Sequence, residues 1–130
     1  MPHDVMSFFE QYRDAFDRLD GNAIAALYCV PSAIADHRGL TSWNSREPII
    51  ENMTALCHLY QSNGYKGAHF VPGKYLLQGS DFAVADVEWT IERQRNLEPW
   101  RFRTTYNLRR TEGGWRVLLC TAYEEKRLNA

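Results

Sequence analysis

Four histidines, three cysteines and an unusual number of aromatic rings carry whatever chemistry this chain offers. His3, His37, His58 and His69 show no HxxxH or HExxH spacing, so no local zinc motif is present. Cys29, Cys57 and Cys120 are odd in number and widely spaced, with no CxxC pair. That pattern predicts reduced thiols in a cytoplasmic protein rather than a disulfide framework. Cys57 and Cys120 read as small core residues, since neither has a visible base partner. Gly-rich phosphate loops and GxSxG elbows are absent, and no cofactor or metal is expected. The aromatics remain: four Trp, seven Tyr and six Phe, or 13% of 130 residues. These are more rings than a small core needs, which raises the question whether they line a cavity as well as fill a core.

The two halves of the chain position these residues differently. From Asp4 to Leu19, Phe8, Tyr12, Ala15, Phe16 and Leu19 recur at helical spacing, with Asp4 as N-cap. Asp20-Gly21-Asn22 breaks this helix, and Asn22 caps a short second one, Ala23 to Tyr28, which Pro31 ends. Ser32 to His37 reads as a strand, turning at Arg38-Gly39 to pair with Leu40 to Trp43. Ser45 caps a third helix with Pro48 in its first turn and a stripe of Ile49, Met53, Leu56 and Tyr60, closed by Asn63-Gly64.

After Gly64 the period becomes two. Phe82 to Gln94 puts Ala83, Ala85, Val87, Trp89 and Ile91 on one face; Pro99 to Arg110 does the same with Trp100, Phe102, Thr104, Tyr106 and Leu108. Trp115 to Glu125 is a further strand after Glu112-Gly113-Gly114. Lys66 to Gln78 is another, interrupted by Pro72-Gly73, which marks an edge or a bulge. The expected class is α+β: a single domain over residues 1–130, with three N-terminal helices packed on a curved antiparallel sheet.

Charge and hydropathy exclude several partners. Fifteen Lys and Arg against sixteen Asp and Glu leave a net charge of -1, with no bias toward nucleic acid or anionic membrane. The Arg-rich run from Arg93 to Arg110 invites an anion or RNA reading, but Asp86, Glu88 and Glu92 alternate on the neighbouring strand. Cross-strand pairing with Arg101, Arg103 and Arg109 is the simpler expectation. The longest apolar stretch, Ala23 to Val30, falls far short of the ~20 residues of a membrane span. The opening MPHDVMSFFEQ carries an acid where a signal peptide is basic.

The layout resembles the nuclear transport factor 2-like superfamily, the cone-shaped α+β domains that include ketosteroid isomerase and the SnoaL-like polyketide cyclases. The likeness rests on FFEQYRDAFDRLDGNAIAALY, on SAIAD before a Gly turn, on SREPI opening the long helix, and on the Trp115-Arg116-Val117 strand. Each motif is weak alone; their order and spacing together are more specific. SREPI departs from the common G-R-E-A-I in having Ser45 for Gly. The resemblance to ketosteroid isomerase implies that Tyr12 is the helix-one tyrosine and Asp36 the general base. The isomerase's third group, a carboxylic acid held protonated in an apolar site, is itself a standard example of pKa tuning. That position falls on Tyr106, or less directly on Thr105, which removes the acid but keeps a hydroxyl donor.

Enolate chemistry needs a base within reach of an acidic C–H and donors aimed at the developing oxyanion. Asp36 would be the base, Tyr12 and Tyr106 the donors, and Trp89, Trp100, Phe102 and Trp115 the walls of the ligand site. Each residue also has a plain reading. Tyr12 and Tyr106 can be core tyrosines, Asp36 a turn-initiating acid, and His37 a residue turned to the opposite face unless a bulge brings it inward as a competing base. His58 and His69 come from different elements and lack spacing that would join them. Two functions are therefore carried forward. One is an isomerase, cyclase or dehydratase acting by proton transfer. The other is a non-catalytic ligand-binding or dimerisation module, with a homodimer formed through the sheet.

Overall fold

A computed structural model describes residues 1–126 and begins with two helices. Helix α1, His3–Asp17, buries Val5, Phe8, Phe9, Tyr12, Ala15 and Phe16 along one stripe. Its N-cap is Pro2 rather than Asp4. Asp4 lies in the first turn, where its Oδ1 accepts from Val5 N at 2.9 Å and its Oδ2 accepts from Trp115 Nε1 at 3.0 Å. Helix α2 spans Gly21–Ala25 and is capped by Asp20, whose Oδ1 accepts from Ala23 N at 3.0 Å. The cap falls two residues before the expected Asn22. An ideal Cβ on Gly21 would lie 2.4 Å from Thr54 Oγ1 and 2.8 Å from Thr54 Cα, so only glycine lets α2 approach helix α3, Arg46–Ser62, this closely.

Strand β1 covers Tyr28–Asp36, and so begins four residues before the expected Ser32. Pro31 does not stop a helix. It sits inside β1 between Tyr28 and Ala33, where the register shifts, so its missing N–H falls at an interruption of the ladder. Strand β2, Gly39–Trp43, pairs back antiparallel, with Asp36 opposite Gly39 at φ 125°. The remaining strands are β3 (Tyr65–Gln78), β4 (Phe82–Arg93), β5 (Trp100–Thr111) and β6 (Gly114–Lys126). They form one sheet in the order β2-β1-β6-β5-β4-β3.

The β3–β4–β5–β6 part is the expected antiparallel meander. β1 then joins β6 in parallel, with Tyr28 opposite Val117, which makes the curved sheet mixed. A sequence reading that pairs strands through tight turns has no signal for this contact, because some ninety residues separate the partners. The alternation expected for β4 and β5 is present: Ala83, Ala85, Val87, Trp89 and Ile91 are buried, as are Trp100, Thr104, Tyr106 and Leu108.

Three polar clamps fix the helices to the sheet. Arg46 Nη1, at the start of α3, donates to Tyr28 O at 2.8 Å and also to Ala25 O, which gives the SREPI segment its structural role. At the end of α1, Asp17 Oδ1 accepts from Tyr65 OH at 2.6 Å and from Ala68 N at 3.1 Å. At the start of α1, Asp4 holds Trp115 and also pairs with Arg110 at 3.2 Å. The Arg110 guanidinium lies 4.3 Å above the Trp115 ring, adding cation–π attraction to the clamp.

Candidate functional site

Asp36 closes β1 on the strand face that carries buried Ser32 and core-packed Ile34. Its carboxylate is committed to the hairpin turn. Oδ1 accepts from Arg38 N at 2.9 Å and Oδ2 from Arg38 Nη2 at 3.0 Å. These bonds favour the charged form and hold the carboxyl below the usual carboxylate range, despite some opposing desolvation. The Asp36 side chain is 16% exposed, whereas that of Arg38 is 79% exposed, so the turn presents the cation to solvent.

Tyr12 and Tyr106 do come together. Their rings lie 5.5 Å apart, edge to face, and both are buried. Phe9 meets Tyr106 at 5.0 Å, Phe16 meets Tyr12 at 5.2 Å, and Trp89 meets Tyr12 at 5.9 Å. The polar atoms pair among themselves: Tyr12 OH and Tyr28 OH are 2.8 Å apart, and Trp89 Nε1 donates to Tyr106 OH at 3.0 Å. Burial pushes all three tyrosine hydroxyls well above their ordinary range, with desolvation as the leading cause in each. They are neutral hydrogen-bonding groups across the physiological range.

Two of the other expected wall residues, Trp100 and Trp115, make their closest described contacts elsewhere. Trp100 packs edge-on against Tyr60 at 5.9 Å and carries the Arg93 guanidinium at 4.6 Å. Trp115 belongs to the Asp4–Arg110 clamp at the far end of β6. Phe102 lies opposite Trp89 in the ladder and is partly buried. The separation is a matter of strand length: the six steps along β5 from Trp100 to Tyr106 span about 20 Å. A shared face is not a shared site.

Tyr28 is the member of the cluster that sequence reasoning missed. It closes the run AIAALY, whose composition suits a helix, and only the register with Val117 places it on the sheet. The charged face is also narrower than expected. Arg103 gathers Glu88 at 3.1 Å, Glu124 at 3.1 Å and Asp86 at 3.7 Å, while Arg101 lies opposite Thr90 and Arg109 opposite Phe82. Asp86 also accepts from Thr105 Oγ1 at 3.2 Å and from Tyr123 OH. A separate surface cleft of about 640 Å³ opens at the β4–β5 turn beside Lys66, Arg93, Arg95 and Leu97. Among the described residues, no three His, Cys, Asp or Glu side chains are placed to hold a metal ion. No helix among them is long and apolar enough to cross a membrane.

The profile of one protein family, NTF2-like protein (DUF6841), matches residues 3–125. The chain belongs to this NTF2-like family. Its fold recurs in solved structures of low sequence identity. A domain of unknown function with a cystatin-like fold from Nostoc punctiforme superposes with a TM-score of 0.74 at 16% identity, over 96% of this chain and 77% of that one. A ketosteroid isomerase-like protein from Erwinia carotovora atroseptica gives 0.67 at 14% identity, over 91% of each chain. A candidate calcium/calmodulin-dependent protein kinase type II association domain from Thiobacillus denitrificans gives 0.72 at 15% identity, over 90% of this chain and 91% of that one. No curated protein matches the chain. At these identities the likeness defines the NTF2-like cone and leaves function to the site.

Proposed function

We propose that this chain is a non-catalytic association module of the NTF2-like fold, working as a homodimer through its sheet. The observation that carries the reading is the commitment of every polar group expected to do chemistry. Tyr12 is bonded to Tyr28, Tyr106 accepts from the Trp89 indole, and Asp36 takes two bonds from Arg38. A general base and its oxyanion donors must instead be aimed at a position that substrate occupies. The surface offers more. Val71, Tyr75, Leu76 and Leu77 on β3 and Phe82 on β4 are between 42% and 61% exposed, an apolar group of the kind that marks protein contacts. The likeness to a candidate association domain supports the same direction.

Association that favours the folded state makes thermal stability depend on concentration. The unfolding midpoint of the full chain is expected to rise over a hundredfold increase in loading concentration. A midpoint that stays constant over that range would sink the reading.

A second reading keeps a small hydrophobic ligand that is enolised by Asp36, with Tyr12 and Tyr106 as oxyanion donors. It would make the chain an isomerase or lyase of the ketosteroid-isomerase type. It is favoured by the convergence of Tyr12, Tyr106 and Trp89, by Asp36 lying on the core-facing side of β1, and by the likeness to a ketosteroid isomerase-like protein. It requires Arg38 to release Asp36 and Tyr28 to release Tyr12. Deuterium wash-in at the α-carbon of enolisable ketones measures it directly. Exchange above the buffer rate in the native chain and its loss in Asp36→Asn would establish this reading over the first.

A further inference from the structure

We propose that the second half of β3, residues 71–78, is the dimer contact, pairing edge to edge and antiparallel with the same segment of a second copy. This rests on the association reading above and names its surface. Among the described residues β3 is the last strand of the sheet, with a neighbour strand on one side of its backbone ladder only. Burial fades along it: Tyr65 and Ala68 are buried, Phe70 is partly covered, and every residue from Val71 to Gln78 is exposed.

The register explains the unusual composition of this arm. A shift between Pro72 and Tyr75 resets the pairing, after which Tyr75 lies opposite Ala85 and Leu77 opposite Ala83. Ala83 and Ala85 face the core, so Tyr75 and Leu77 lie on the helix side of the sheet, beyond the reach of the helices. Leu76 lies opposite Val84 on the outer side. Tyr75, Leu76 and Leu77 are 48%, 60% and 48% exposed, so the arm is apolar on both faces as well as open at its edge. Native proteins usually blunt such an edge with charge, and here VPGKYLLQ holds one charged residue, Lys74.

Stacking the outer face of the sheet on a partner would cover Val71, Leu76 and Phe82 but leave Tyr75 and Leu77 in water. Adding a strand at the edge places cross-strand neighbours beside Tyr75 and Leu77 on one face and beside Leu76 on the other. A two-fold pairing centred on Leu76 puts Leu76 against the partner's Leu76 on the outer face and Tyr75 against the partner's Leu77 on the inner face. Lys74 then meets the partner's Gln78 and no like charge. The five paired residues, 74–78, lie clear of Pro72, which has no N–H to offer a ladder. Within the five paired positions the exposed large apolar side chains are Tyr75, Leu76 and Leu77, and each meets another of them across the two-fold, which is why a second copy fits this edge.

The test is the solution mass of the full chain and of Leu76→Lys, with amide exchange across residues 74–78 followed in both. Leu59→Lys, at an exposed apolar residue on α3, is the control. The proposal expects twice the 15.1 kDa chain mass for the native protein and for Leu59→Lys, and a single-chain mass for Leu76→Lys. It also expects exchange at 74–78 at least tenfold faster in Leu76→Lys. A dimer that persists in Leu76→Lys with unchanged exchange overturns the arm as the contact and leaves association through another surface. A native protein of single-chain mass overturns the association reading itself. Species growing beyond the dimer would overturn the closed two-fold pairing.

Discussion

Several carboxylates and phenols of this chain hold its elements together, and the energetics of each are testable one at a time. Tyr12→Phe leaves the Tyr28 hydroxyl without its partner in the core, and Tyr106→Phe does the same to the Trp89 indole N–H. Each is expected to cost about 1–2 kcal/mol in denaturant unfolding. Tyr12, Tyr28 and Tyr106 have folded-state values raised above about 10, so they stabilise the fold fully below that pH and lose the contribution as pH rises. Tyrosinate absorbance is therefore expected to develop for these three only together with alkaline unfolding; a reversible titration with circular dichroism unchanged would contradict their burial.

Asp4 behaves in the opposite sense. The bond from Trp115, foremost, and then Arg110 lower its carboxyl, so its contribution is present above about pH 4 and fades as the pH falls through the depressed value. Asp4→Ala strands the buried Trp115 N–H and is expected to cost about 1 kcal/mol at neutral pH, with the deficit closing in acid. Asp36 follows the same sign through Arg38.

The elements divide by how far apart in sequence their determinants lie. The helical stripe of α1, the Pro72-Gly73 interruption and the alternation of β4 and β5 are local patterns, and each is legible in the sequence. The parallel β1–β6 ladder and the bond from Trp115 to Asp4 join residues some ninety or more apart, which periodicity does not encode. The Asp36–Arg38 turn, by contrast, is local and is the plain reading the sequence offers for Asp36. The candidate site was legible to the same extent: Tyr12, Trp89 and Tyr106 converge as their periods imply, whereas Trp100 and Trp115 share their face without sharing their place. The run Tyr75-Leu76-Leu77 did carry a signal, since three consecutive large apolar residues break the alternation of a one-sided strand. The α2–α3 contact adds a test at this scale. Gly21→Ala drives a methyl into the Thr54 backbone and is expected to cost about 2–3 kcal/mol, seen as a lower urea midpoint with an unchanged slope. A loss under 0.5 kcal/mol, the size of an ordinary surface change, would show that α2 can move away from α3 freely.

At the scale of the whole molecule, a near-neutral NTF2-like cone has an interior occupied by its own rings and an apolar arm left outside. The interior gives the chain a stable core, and the arm gives it a surface that water covers poorly. Sedimentation equilibrium of the full-length chain at several loading concentrations tests this division most directly. One closed species of twice 15.1 kDa is the predicted result, and a mass of 15.1 kDa at every concentration would contradict it.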